Sequence, residues 1–202
     1  MCHRMSSLLF SELQQALWEL KRSGRARIPR RDPGASIPDA YPGAQVPLIV
    51  PGADGSFEAR ELGWGFDAPA QSRSKLVFNT RLDTALAHAR TGEGMWAEAI
   101  MRGRCLVPVR AFWENWSLAA ASPRAQVRFI QPGLDVFLLA GIYRENRFSV
   151  VTTEPNAIVG SYHSRMPLVL APGESRLWLG PNFAQLADRS GIALDARVEG
   201  AP

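Results

Sequence analysis

Three side chains in this sequence are of types suited to covalent and proton-transfer chemistry: Cys2, Glu114 and His163. Cys2 stands in M-C-H-R, next to His3. A thiol that ionises near pH ~8.5 keeps a usable nucleophilic fraction at neutral pH, given access and a base to work with. Glu114 stands in A-F-W-E-N-W. A carboxyl desolvated by Phe112, Trp113 and Trp116 holds its proton to higher pH and suits general acid/base work, whereas on a plainly alternating strand it faces water. His163, in Y-H-S-R-M-P ahead of an apolar run, reads as a base or as a structural imidazole. Asn79 and Arg81, in F-N-T-R, read equally as turn and surface residues, and His88 as a surface helical residue. A metal centre built from Cys2, His3, Cys105 and His163 lacks paired-ligand spacing, so neither metal nor cofactor is expected.

The elements that must position these groups are mostly short strands. Val46–Val50, Phe57–Phe66, Leu76–Phe78, Cys105–Trp116, Gln126–Ile130, Val136–Tyr143 and Phe148–Thr152 are rich in β-branched or aromatic residues and bounded by turn residues. Leu13, Leu17 and Leu20 fall at helical spacing after a possible Ser11/Gln14 capping box, and Gly24 offers a stop. A second helical patch covers Glu93–Arg102, with Trp96 and Ile100 one turn apart. Asn156–Ser161 reads as a short helix and Met166–Leu170 as a closing strand. Strands interrupted by a few helices, without strand–helix alternation, predict an α+β fold rather than a dinucleotide-binding one. Residues 25–43 are rich in Arg, Pro and Gly and read as a loop.

Length and charge narrow the classes. The 202 residues suit one domain, 1–202, in which 181–202 is the least defined part. The formal net charge is +4, and Lys21 and Lys75 are the only lysines. Arginine pairs phosphate through a planar fork, so the bias permits polyanion binding, although GC-rich coding produces it as well. Two cysteines are too few for a disulfide framework, and no apolar run approaches membrane-spanning length. A cytoplasmic protein with reduced thiols is the expectation.

Taken in order, seven short stretches resemble one family. They are M-C-x-R at the start, W-G at 64, N-x-R at 79–81, R-C-L-V-P followed by F-W-E, A-G-I-Y at 140–143, V-T-T-x-x-N at 151–156 and H-S-R-M-P at 163–167. The chain from Cys2 to about Leu179 is similar to the SOS-response-associated peptidase (SRAP) family, whose members shield abasic sites in single-stranded DNA. The resemblance implies a curved, mainly antiparallel, barrel-like β core with short flanking helices and a positively charged cleft. It further implies removal of Met1, which leaves Cys2 with an α-amine and a thiol on adjacent carbons. Those two groups close a five-membered thiazolidine on the aldehyde of a ring-opened abasic site.

By the same resemblance Asn79 orients the Cys2 amine, Glu114 relays protons, and His163 assists opening of the sugar. Arg81 and Arg165 match the family's phosphate clamps, with Arg4 a third candidate, and Trp64 either walls the cleft or packs in the core. The implied partner is single-stranded DNA carrying abasic sites, with no membrane; a monomer that joins the nucleoid during repair is expected. The sequence departs from the family pattern at His3 for Gly, Asp83 for Glu, Ala111 for Gly and Asn115 for Trp, and the second tryptophan after W-G is missing. Cys105 reads as a small buried hydrophobe. Two other readings compete: a thiol peptidase using Cys2, Glu114 and His163, and a non-catalytic single-strand-binding module.

Overall fold

In the computed structural model, residues 2–24, 26, 39–116 and 125–199 are described. The chain forms a mixed α/β domain, mostly sheet, with a few short helices. It opens with β1 (Arg4–Ser7) and α1 (Phe10–Ser23). The cap of α1 lies two residues earlier than the expected box: the Glu12 carboxylate accepts the Leu9 N–H at 2.8 Å. Gly24 ends the helix in the left-handed region at φ 71°, as the sequence predicts.

Next come the hairpin strands β2 (Gln45–Pro51) and β3 (Phe57–Trp64), the short β4 (Phe66–Asp67) and β5 (Leu76–Val77), and β6 (Asn79–Arg81). Two helices follow, α2 (Leu82–Thr91) and α3 (Ala97–Arg102). The second starts later than predicted, because Gly92 and Gly94 adopt positive φ and hold the preceding residues in a turn. The long β7 (Arg104–Trp116), β8 (Ala125–Ile130), β9 (Phe137–Arg144) and β10 (Arg147–Thr153) then build the body of the sheet.

The last part holds α4 (Ala157–Gly160), β11 (Met166–Pro167), β12 (Val169–Leu170), α5 (Ser175–Leu179), a 3-10 turn at Phe183–Ala187 and β13 (Asp195–Glu199). The closing strand expected over Met166–Leu170 is two strands. Met166–Pro167 pairs with β10 and Val169–Leu170 with β9. The least defined part of the sequence contains an integral element, for β13 pairs with β8 from Asp195 to Glu199. Most of the loop expected at 25–43 lies outside the described residues. Near its end, Ala40 exchanges backbone hydrogen bonds with Met5 at 2.8 and 3.0 Å.

The main sheet runs β12-β9-β10-β3-β2-β7-β8-β13, and β7 also pairs with β9, so the pairings form a closed circuit through five strands. Pairing is antiparallel except where β10 meets β3 and β6. One core cluster, including Trp64, Phe112, Phe129 and Phe148, gathers residues from the sheet strands and takes in Cys2. A second packs α2, α3 and α5 against Leu106, Ala140, Ile142 and Val151. Burial on both sides explains why β7 is apolar almost throughout rather than alternating: 111–114 are all buried. Glu114 is carried inside by that strand.

Candidate functional site

β1 lies antiparallel to β7, with Arg4 opposite Trp113 and Met5 opposite Phe112. This register brings the segment before β1 to the end of β7 that bears Glu114. Cys2 is fully buried there, its Sγ 3.6 Å from the carbonyl of Arg4. From the other side comes β6, held parallel to β10 with Asn79 opposite Val150. Its register is fixed by buried hydroxyls: Thr80 Oγ1 donates to Ser149 Oγ at 2.8 Å. Asn79 Nδ2 then donates to the carbonyl of Cys2 at 2.8 Å. The resemblance assigned Asn79 to the amine of Cys2; here the bond runs to its carbonyl, and Asn79 Oδ1 has no hydrogen-bond partner among the described residues.

Burial sets the electrostatics of this corner. Glu114 has no exposed surface, and desolvation lifts its carboxyl to about 7, opposed by the charge of the amino terminus. The expectation of a thiol with an ordinary pKa does not hold. Burial first, and the Glu114 charge second, push the Cys2 thiol far above its usual range, so it is protonated at neutral pH. His163 is half-buried, and desolvation lowers its pKa, so the imidazole is neutral at pH 7. Its Nδ1 sits 3.1 Å from the Arg165 nitrogen and 2.9 Å from the Arg165 oxygen. The neighbouring Tyr162 ring packs edge-on to Trp116, two residues beyond Glu114, at 5.6 Å. That contact ties the His163 segment to the Glu114 end of β7.

His3 is held by a chain of polar contacts that sequence reading missed. Arg4 pairs with Asp39 at 2.6 Å, donates to Gln126 Oε1, and stacks 4.2 Å over the Trp113 ring. With its oxygen turned to Arg4, Gln126 presents its NH2 to His3 Nε2 at 3.0 Å. Gln126 carries no sequence signal for this role beyond its place in a strand opposite β7.

The four residues assigned to DNA contact fare differently. Trp64 has no exposed surface: it stacks on Phe148 and donates its indole N–H to the Phe78 carbonyl at 2.9 Å. It is a core residue, and the cleft-wall reading falls. Each of the three arginines carries a carboxylate in place of the expected open positive cleft. Arg4 has Asp39, Arg81 has Asp83 at 2.7 Å, and Arg165 has Glu154 together with Asp83 at 3.8 Å. Their charge is compensated at contact distance. Cys105 is fully buried, as expected of a small hydrophobe, and its carbonyl accepts the Trp178 indole N–H.

A sheet-dominated α/β domain that gathers an early cysteine, an asparagine and a buried carboxyl defines the class. The family model for SOS response associated peptidase (SRAP) matches residues 1–197, and the chain belongs to that family. Over 130 residues it is 25% identical to the abasic site processing protein YoaM of Bacillus subtilis, covering 60% of this chain and 56% of that one. It is 23% identical to YoqW, also called an abasic site processing protein, of the same organism, again covering 60% of this chain and 57% of that one. The matches thus span little more than half the length of those relatives. Two crystal structures share the fold over nearly the whole chain. A protein from Bacteroides thetaiotaomicron superposes with a TM-score of 0.68 at 22% identity, covering 98% of this chain and 91% of its own. A phage-related protein of Bordetella bronchiseptica gives 0.69 at 21%, covering 99% and 95%. Among the described residues no helix is long and apolar enough to cross a membrane.

Proposed function

We propose that this protein binds single-stranded DNA and forms a covalent thiazolidine between Cys2, made N-terminal by removal of Met1, and the ring-opened aldehyde of an abasic site. One observation carries the reading: Cys2, hydrogen-bonded by Asn79, shares a buried corner with a carboxyl poised at about 7. The names of the relatives supply the substrate class.

Loss of Met1 turns the Cys2 amide nitrogen into a primary amine with a pKa near ~8. The amine attacks the aldehyde carbon, and the carbonyl oxygen becomes the hydroxyl of a carbinolamine. Glu114 gives its proton to that hydroxyl, which leaves as water while the nitrogen lone pair forms the iminium. The Cys2 thiol then returns a proton to Glu114, and its sulfur closes on the iminium carbon. Aldehyde, amine and thiol give thiazolidine and water, with Glu114 regenerated. A group near pH 7 suits a proton that must go both ways, and ring closure gains from its intramolecular geometry.

In this reading the free Oδ1 of Asn79 accepts from the new amine, neutral His163 assists opening of the sugar, and Arg4, Arg81 and Arg165 meet phosphates on a monomer working at the nucleoid. Thiol-peptidase chemistry is disfavoured, since a carboxylate beside Cys2 opposes the thiolate that such an enzyme needs. The test is a denaturing gel of Met1-processed protein with single-stranded DNA bearing one abasic site. A heat-stable shifted band that disappears in Cys2→Ala is expected. Binding by the wild type without such a band overturns the crosslink.

A further inference from the structure

Arg165 is the most enclosed of the three candidate clamps, its side chain 11% exposed. One arm of its guanidinium is committed to the protein, NH2 donating to the Thr152 carbonyl at 2.9 Å. The other, NH1, bonds to Glu154 Oε1, while Nε has no partner among the described residues. The two members of this pair are unequal. Arg165 is anchored by its backbone to His163 and by its side chain to Thr152, whereas the Glu154 side chain is 76% exposed and hydrogen-bonds to Arg165 alone among the described residues. The second carboxylate behaves differently. Asp83 takes two bonds from Arg81, at 3.2 and 2.7 Å, and one from its neighbour's N–H at 2.8 Å. Arg81 thereby holds the Asp83 carboxyl down to about 2, so it stays charged and in place. Between them, Thr153, Glu154, Arg165 and Asp83 line a pocket of about 200 Å³ with Leu82 and Leu86.

We propose that Glu154 is a displaceable counter-ion occupying the phosphate position on Arg165, so that it sets how readily a DNA strand engages this side of the site. The inference rests on the single-stranded DNA reading above and adds to it a residue that governs strand engagement. An anion reaching the pocket meets one fixed cation whose outward donor is already taken. It gains that donor only by turning the exposed carboxylate out into water. A diester anchored elsewhere along its strand does this easily, whereas an isolated contact does not. Only the Glu154 end of the pair faces water, and a carboxylate that is rehydrated as it turns out gives up its partner at small, reversible cost.

The test is fluorescence anisotropy with labelled, undamaged single-stranded DNA across 50–200 mM salt, where no covalent step intervenes. Glu154→Gln should bind about two- to fivefold tighter than wild type at the low end. Its salt dependence should steepen, because no freed carboxylate offsets the neutralised phosphate. The gain should vanish when Arg165→Ala is added. Glu98→Gln, an equal change of net charge on α3, should leave affinity unchanged. Equal affinities of Glu154→Gln and wild type overturn the inference alone, as does equal tightening by Glu98→Gln. Absence of binding by wild type and variant alike overturns the inference together with the DNA reading.

Discussion

Asn79 and Cys2, separated by 77 positions, are joined by one 2.8 Å hydrogen bond from the side-chain amide to the backbone carbonyl. That bond crosses between β6 and the segment leading into β1, two elements that share no strand pairing. It therefore orients Cys2 relative to Glu114, a task the sheet alone does not perform.

Asn79→Ala removes the donor and leaves a buried carbonyl unsatisfied, at a cost of about 1–3 kcal/mol. The expected outcome is a lower melting temperature and a crosslinking rate reduced about tenfold, since Cys2 is then free to leave its reacting geometry. Anisotropy on undamaged single-stranded DNA should change less than about twofold. An equal loss in binding and in crosslinking would assign Asn79 to DNA contact instead.

Glu114 makes stability fall with rising pH. Its carboxyl is lifted from 4.5 to about 7 in the folded protein, mainly by burial. Between those values the folded state holds a proton that the unfolded chain has lost, so the stabilising difference is complete below about pH 4.5 and is gone above about pH 7. The span is on the order of 3 kcal/mol. Glu114→Gln keeps the shape without the titration. Melting curves from pH 5 to 8 should slope downward for the wild type and run nearly flat for the variant, which should be the more stable protein at pH 8. Its crosslinking should be slow throughout and lack the limb near pH 7.

Much of this arrangement was legible in the residues. Strand runs such as Cys105–Trp116 and Phe148–Thr152 match the observed β7 and β10 to within a residue or two, because β-branched and aromatic stretches bounded by turns are strong signals. The short pieces were not. β1, β6 and β13 owe their existence to partners distant in sequence, and a four-residue run such as Arg4–Ser7 has no periodicity to read. The same limit applies to the site. The family motifs singled out Cys2, Asn79, Glu114 and His163, but they said nothing of Glu154, which falls in the unspecified gap of V-T-T-x-x-N. For Trp64 the motif leaves cleft wall and core equally open, because a motif marks a residue without saying whether it faces water; its complete burial decides for the core.

Arg104 should prove essential to stability although it takes no part in the site. Its guanidinium donates to carbonyls at the ends of two helices: Ile100 and Met101 from α3, and Trp178, Leu179 and Gly180 at the end of α5. It also stacks 4.1 Å over the Phe183 ring. These are carbonyls that a helix end leaves unpaired, and one planar fork serves both ends. Arg104→Lys keeps the charge but cannot span them. A loss of roughly 3 kcal/mol in urea unfolding is expected, with little recovered by the lysine relative to alanine.

Two glycines that do not have positive φ test how tightly β7 and β9 are pressed together. Gly141, in the A-G-I-Y stretch, sits opposite Cys105, and a Cβ there would lie 2.8 Å from Cys105 Sγ and 2.9 Å from Val107 Cγ2. Gly103, just before β7, is more constrained still: a Cβ would lie 1.9 Å from the Tyr143 carbonyl oxygen. Side chains give way more easily than a hydrogen-bonded backbone, and the Gly103 carbonyl itself accepts from the Tyr143 N–H at 2.6 Å. Gly141→Ala should therefore cost about 1–3 kcal/mol, the usual range for overpacking. Adding Cys105→Ala to Gly141→Ala should restore part of that stability by removing the sulfur it collides with, a positive coupling that a double-mutant cycle reads directly. Gly103→Ala should be the more damaging substitution, and no trimming of a neighbouring side chain should rescue it, because the atom in the way belongs to the backbone of β9.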